Sequence, residues 1–471
     1  MLNVQQPVLL TDEQMRQFIV DGYLILGTDF SDAFHAGLVE QLDEVYASEG
    51  NPGNNLLPRI RDLQRVFDHP VVTGALTSVL GPGYMMHAHR YGHCNASDKP
   101  GKWHKDSYWG YERMRNHHPW WAMVMYFPQD TPVELGPTGI LPGTHNHESR
   151  TFTEDDHPGE AVASGKAGTF ALIHYDIWHR STANLLGQER YMLKFEFMRT
   201  AAPAGPTWDN RERNWRLPAQ LQAPVARHDR MWEETWEWLF GRIGSQAGTV
   251  AAPERDGLLR TDELEDRFEP RALNTAYALA GCGTAGVERL LAGLQHDRVE
   301  VSRSSAYGLS VAGSEAVPGL TALLVQEREE TLVHALFALG ELRGLAREAV
   351  PAIVSLLAHA SVMVRQTAAE ALGMIGSPAP VCTAALSRCL GDEAAQVRFT
   401  AGLSIARMGA DAAEAVPQLA VALEDDNRYV RAHAAEALHY INTEQAKDVL
   451  IRYLLDSRWC PTTTRDNAFY P

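Results

Sequence analysis

The period of the apolar positions changes along the chain. LTDEQMRQFIVDGYLIL (10–26) reads as a helix followed by a short strand, and Thr11 with Gln14 has the spacing of a capping box. Short apolar or aromatic runs follow: MMHAHRYG (85–92), WWAMVMYF (120–127), TFALIHY (169–175) and RYMLKFEFM (190–198). Turns such as PGK, LGPTG and LPGTH separate them. Many short strands with Gly/Pro turns predict a β-sandwich or barrel-like jelly roll over 1–206. Residues 207–254 hold Trp208, Trp215, Trp232, Trp236 and Trp238, and MWEETWEWLFGR (231–242) spaces its aromatics helically. This Trp-rich stretch is expected to be a helical junction that docks two domains, with a substrate lid as the alternative.

From residue 255 to 471 the chain repeats itself. Leu279, Leu309, Leu339, Leu372, Ile405 and Leu438 recur at intervals of 30 or 33. Leu294, Leu324, Leu357, Leu390 and Leu423 keep phase with them. Each unit reads as an Ala-rich helix, a turn and a second helix, often opened by Val-Pro, where proline's missing N–H has no partner to lose. One such pair cannot bury its own apolar face, so neighbours must stack. The region resembles a HEAT-type α-solenoid of six units between about 267 and 457. Arg365, Arg398 and Arg431 recur at one repeat position and predict an ionic ladder between units.

Composition narrows the possibilities. Among 471 residues, 59 acidic and 42 basic side chains give a net charge of −17, and both parts of the chain are acidic. That balance lacks the bulk electrostatics of a nucleic-acid binder. No stretch approaches the ~20 apolar residues of a membrane span, and the N-terminus is a poor signal peptide. Cys94, Cys282, Cys382, Cys389 and Cys460 are odd in number and form no CxxC, which suits a reducing, cytoplasmic setting.

The chemistry lies in WHKDSYWG (103–110) and HYDIWHRSTANLLGQERYMLKFEF (174–197). In extended chain His104 and Asp106 point to one side, so both can meet one ion. His179, 73 residues after Asp106, can add a third donor from a neighbouring strand. Two histidines and one carboxylate on one face are the ligand set of non-haem Fe(II) oxygenases. Arg190, 11 residues after His179, would face the same cavity from the adjacent strand. Its guanidinium suits a two-pronged grip on a carboxylate. That order of residues points to 2-oxoglutarate as co-substrate. His87, His89 and His93, and the pair His145 and His147, are weaker metal candidates, and the H-x-D of His174 and Asp176 lies too close to His179 to replace the main pair. Trp103, Tyr108, Trp109 and Tyr111 are read as either pocket lining or core.

These blocks, with GPTGILPGTHNH (136–147), resemble the phytanoyl-CoA dioxygenase family of Fe(II)/2-oxoglutarate oxygenases over about residues 8–200. Pro137-Thr138 and Thr144 depart from the family's pattern. The resemblance implies a double-stranded β-helix (jelly roll), hence a multidomain β + α chain ending in the HEAT-like solenoid. It implies Fe(II) held by His104, Asp106 and His179, and 2-oxoglutarate anchored by Arg190 with help from Ser181, with Trp121 lining the co-substrate pocket. It also implies a further polar contact from the 85–93 strand, at His89 or Tyr91, and gives Lys105 no role. With O2, the expected reaction releases succinate and CO2 while hydroxylating a small molecule, lipid-like or a specialised metabolite. Asp106 argues against halogenation, since related halogenases lack that carboxylate. The second reading is an interaction protein, whose solenoid recruits a protein partner or a second copy and whose oxygenase modifies it.

Overall fold

The computed structural model describes residues 6–111, 114–153, 155–221, 227–246 and 248–458. Cys460 lies outside them. By contacts the chain divides into two units, Met1–Tyr108 with Glu112–Gly281, and Trp109–Tyr111 with Cys282–Pro471. The architecture is multidomain β + α: a jelly roll in the first unit and helical repeats in the second.

The first unit opens on the helix Asp12–Asp21, whose Thr11–Gln14 capping box is formed and whose chain is turned by Gly22 at φ 77°. Its strands are β1 (Tyr23–Gly27), β2 (Met85–Asn95), β3 (Trp121–Tyr126), β4 (Thr138–Ile140), β5 (Ala161–Val162), β6 (Thr169–His174), β7 (His179–Ser181) and β8 (Arg190–Met198). The larger antiparallel sheet has the order β1-β6-β3-β8-β2, and the smaller one the order β5-β4-β7. β3 and β8 are buried at every position, as central strands covered on both faces must be. β2 carries an irregularity between Met86 and Arg90 and runs on to Asn95, which pairs with Arg190.

The tryptophans of 207–254 pack inside this unit. The helix Asp229–Leu239 brings Trp236 against Trp208, with ring centroids 5.1 Å apart, and lays Trp238 flat on His118 at 4.4 Å. His118 Nε2 meets Glu234 Oε2 at 2.8 Å. Around them lies a set of buried imidazoles. His147 and His228 share a proton between Nε2 atoms 2.8 Å apart, and His228 Nδ1 reaches Asn274 Oδ1 at 2.7 Å. His117 is bonded to Tyr277 Oη at 2.8 Å, and His145 to the Ile19 carbonyl at 3.2 Å. His145 and His147 are therefore packing elements. Among the described residues, one group of three possible metal donors converges, and it includes neither.

The second unit is built of helix pairs such as Val362–Ile375 with Ala379–Cys389, and Ala395–Met408 with Val416–Ala422. Val317, Val350 and Val416 begin short helices with proline in the first turn. Small residues let neighbours close up: a Cβ on Gly373 would lie 2.3 Å from Ser404 Cβ. Arg365 grips Asp392 through two bonds of 2.9 Å, and Arg398 grips Asp425 at 2.7 and 3.0 Å. Each arginine also donates to backbone carbonyls at the preceding turn, as Arg431 does. The expected ladder is present. Trp109 packs in this unit against Phe399, Tyr429 and His433, and Tyr111 against Phe337.

The buried imidazoles make the first unit acid-labile. Burial pushes His87, His117, His145 and His147 well below their usual range, His174 to about 3 and His228 to about 4. Above pH ~6.5 these groups are neutral in both states and stability is full. Below it the unfolded chain takes up protons that the folded one refuses, at about 1.4 kcal/mol per histidine per pH unit. Six such groups together lose roughly 8 kcal/mol per unit, against a typical total of about 5–15 kcal/mol. The jelly roll should unfold between about pH 6 and 5, followed by near-ultraviolet circular dichroism. A melting temperature constant from pH 7 to 5 would contradict this account.

Candidate metal centre

The site begins with a short backbone pairing. His104 and His179 form an isolated antiparallel bridge, each N–H donating to the other's carbonyl at 3.0 Å. Directly opposed residues project to the same side, and Asp106, two residues on, joins them. The donor atoms of His104, Asp106 and His179 all lie within 4.8 Å of one another. Asp106 Oδ2 is 3.3 Å from His179 Nε2, and Oδ1 is 3.9 Å from His104 Nε2. Asp106 and His179 are buried, whereas the His104 side chain is half exposed.

The tautomers are fixed by the main chain. His104 Nδ1 donates to the Lys102 carbonyl at 2.8 Å, and His179 Nδ1 to the Ile177 carbonyl at 3.1 Å. A carbonyl only accepts, so both protons sit on Nδ1 and both Nε2 lone pairs face the centre, as a metal requires. Burial raises the Asp106 carboxyl, but the Lys194 ammonium beside it outweighs burial and holds the group well below the carboxylate range. The donor set is two imidazoles and one carboxylate.

Beside it is a cavity of about 450 Å³. Arg190 lines it from the start of β8 and is 1% exposed. Its guanidinium lies 5.7 Å from the Phe127 ring, and Nε and Nη1 have no partner. Burial lowers its pKa to about 10. A buried cation with unused donors is costly unless an anion meets it. Ser181 also lines the cavity, its Oγ accepting from Gly101 N at 3.2 Å. Trp121 lies on the Met125 face of β3 but further along. It stacks on Tyr175 at 5.4 Å, stands edge-on to His87 and is absent from the described lining.

From β2 the cavity takes His93 and Asn95, where the sequence suggested His89 or Tyr91. The reason is register: Asn95 is paired with Arg190 and His93 with Met192, so these two stand next to the guanidinium. His93 Nε2 has no partner, and burial brings that imidazole down to about 3, so it is neutral. Lys194 was also missed. It sits in the cavity with Nζ 2.7 Å from Asp106 Oδ2. Period-two alternation from Arg190 through Met192 to Lys194 is the signal that could have found it. Lys105 points the other way and ties the loop at 144–147, donating to the Thr144 carbonyl at 3.2 Å and to that of His147. Asp176 is bound by Ser107 at 2.5 Å and Asn116 at 2.9 Å, so the second H-x-D is structural. Trp103 packs on Phe152, and Tyr108 donates to Asp106 Oδ1 at 3.0 Å.

Residues 31–192 match the family model of phytanoyl-CoA dioxygenase. The chain thus carries a phytanoyl-CoA dioxygenase-type domain at these residues. It is an Fe(II)/2-oxoglutarate oxygenase domain, and the family works with Fe(II), 2-oxoglutarate and O2. Residues 317–406 and 383–460 match the HEAT-repeat model, a repeat type with protein-interaction potential. Among solved structures, the phytanoyl-CoA dioxygenase-like region is similar to the non-haem α-ketoglutarate-dependent carbocyclase SnoK from nogalamycin biosynthesis (18% identity, 42% of this chain and 88% of that one, TM-score 0.34). It is also similar to HygX from Streptomyces hygroscopicus with nickel and 2-oxoglutarate bound (14%, 42% and 90%, TM-score 0.34). A designed armadillo repeat protein in complex with a peptide is a further similar structure (20%, 41% and 100%, TM-score 0.30). A comparison with curated proteins finds no match. No helix among the described residues is long and apolar enough to cross a membrane.

The unpartnered guanidinium gives a stability test. Arg190→Met should raise the ligand-free protein's stability by about 1–3 kcal/mol in urea unfolding, because an uncompensated buried charge is removed. The same variant should lose the stabilisation that added 2-oxoglutarate gives the parent. A destabilised Arg190→Met that 2-oxoglutarate still stabilises would contradict the reading of Arg190 as a charge waiting for an anion.

Proposed function

We propose that the first unit hydroxylates a small molecule, lipid-like or a specialised metabolite, with release of succinate and CO2. One observation carries this reading: three metal donors stand beside a buried, unpartnered guanidinium in one cavity. His104, Asp106 and His179 would hold Fe(II) from one side, leaving the other side of the ion open. Arg190 and Ser181 would take the far carboxylate of 2-oxoglutarate, with His93 and Asn95 rather than Trp121 completing its contacts. Bound there, iron with 2-oxoglutarate and O2 supplies an oxidant strong enough to take hydrogen from an unactivated carbon.

The chain's own residues bind and orient. The Lys102 and Ile177 carbonyls aim the two imidazoles, and Lys194 and Tyr108 hold the Asp106 carboxylate from its two oxygens. A carboxylate in that place takes the position a halide would need, which favours hydroxylation. The cavity's volume suits a small substrate. Four free cysteines among the described residues fit a reducing, cytoplasmic setting.

Purified protein given Fe(II), 2-oxoglutarate and ascorbate in air should form succinate slowly without substrate. Asp106→Ala should abolish it. Arg190→Leu should raise the 2-oxoglutarate KM roughly 10–100-fold, the worth of one or two charge-assisted bonds, with metal binding retained. Succinate formation that survives Asp106→Ala overturns the ligand assignment, and an unchanged KM overturns the anchor.

A further inference from the structure

The buried part of the pocket holds one more positive charge than its proposed contents use. Lys99, Arg180, Arg190 and Lys194 line it, and Asp106 is the one carboxylate among the described lining residues. Arg180 is already taken, with Nε 2.9 Å and Nη2 2.6 Å from Glu160 and Nη2 3.1 Å from Asp156. Lys194 is buried to 7% side-chain exposure and Asp106 to 2%.

Resting on the function proposed above, the remaining charges can be counted. A ferrous ion brings two positive charges and Arg190 one. Asp106 and doubly ionised 2-oxoglutarate bring three negative ones. That set is neutral, and Lys194 is left over. An uncompensated ammonium in a buried site is costly. It has three donors on a flexible stem, and Asp106 uses one of them. The rim cation Lys99 has the same sign, although the whole chain carries −17, so this pocket runs against the composition.

We propose that the compound oxidised here is a carboxylate, and that the Lys194 ammonium reads its charge. The carboxylate approaches the open side of the centre, accepts from the free donors of Lys194, and thereby places its carbon chain next to the metal. A neutral analogue of equal size leaves the surplus charge of the centre unmet and binds weakly.

The test uses the full chain loaded with Ni(II) and N-oxalylglycine, an inert mimic of 2-oxoglutarate, and calorimetric titration with acid and amide pairs from butanoate to dodecanoate. At least one acid should bind roughly tenfold or more tighter than its amide, a difference worth one charge-assisted bond. Lys194→Met should erase that preference, and Lys194→Arg should keep it. Lys194→Gln, which keeps a donor to Asp106 without the charge, serves if the methionine variant does not fold, and should also erase it. No preference in any pair, or a preference that survives in both neutral variants, overturns the proposal. So does loss of N-oxalylglycine binding in Lys194→Gln, which would give the ammonium to the co-substrate instead. Failure of the parent protein itself to take up Ni(II) and N-oxalylglycine sinks the oxygenase reading, a result separate from the others.

Discussion

The centre depends on one backbone pairing. His104 and His179 are 75 residues apart in sequence, and two hydrogen bonds between their peptide groups bring them face to face. Once they are opposed, the side of the chain on which each ring projects is settled by strand geometry, and Asp106 follows two residues later. Both rings then use the same device, an Nδ1 proton given to the carbonyl two residues before. The result is a pair of imidazoles preorganised by the main chain alone, while Lys194 and Tyr108 hold the Asp106 carboxylate. Substitutions that change His104 or His179 alter the ligand set, whereas changes that shift the 101–106 segment by one residue would turn Asp106 away altogether.

β8 supplies the opposite kind of constraint. It is buried at every position, yet its inward row runs Arg190, Met192, Lys194, Glu196. A strand chosen only for stability would be apolar there. Lys194 gives one donor to Asp106, and Glu196 lies 3.5 Å from His87 Nδ1, but Nε and Nη1 of Arg190 have nothing to meet. Sites that break a packing rule without local compensation are where function is expected. The same residues explain why a cavity forms in an otherwise close-packed sheet: charged heads cannot interdigitate as apolar side chains do, and they leave room that an anion fills.

Much of this was legible in the sequence. The capping box at Thr11, the four apolar runs, the H-x-D with a later histidine and arginine, and the 33-residue period all have counterparts in the structure. What was missed depended on register. A strand pattern shows that residues alternate but not which residue lies opposite which, so His89 or Tyr91 was expected where the Asn95–Arg190 pairing brings His93 and Asn95. Lys194 was hidden for another reason. A single lysine in an apolar run reads as a strand's solvent face unless alternation is counted from Arg190, and its partner Asp106 on a remote segment shows that it points inward. Trp121 shares a face with the pocket, but distance along the strand, which a motif does not encode, separates it from the cavity.

The two units differ in where their information lies. In the repeats the bonds between successive helices join near neighbours in sequence: Arg365 reaches Asp392, Arg398 reaches Asp425, and Ser404 donates to the Ala369 carbonyl. Such order is nearly one-dimensional, so periodicity alone exposes it. The jelly roll instead pairs β1 with β6, β3 with both β6 and β8, and β2 with β8, and no local rule announces those partners. Its identity was readable through chemistry, because a metal accepts few donor sets and a dicarboxylate needs a cation at its far end. A fold of distant pairings is thus recognised by its reactive residues, and a fold of near neighbours by its spacing. That is also why a substrate's charge can be argued for the first unit from four side chains, while the period of the second carries no such chemical signature.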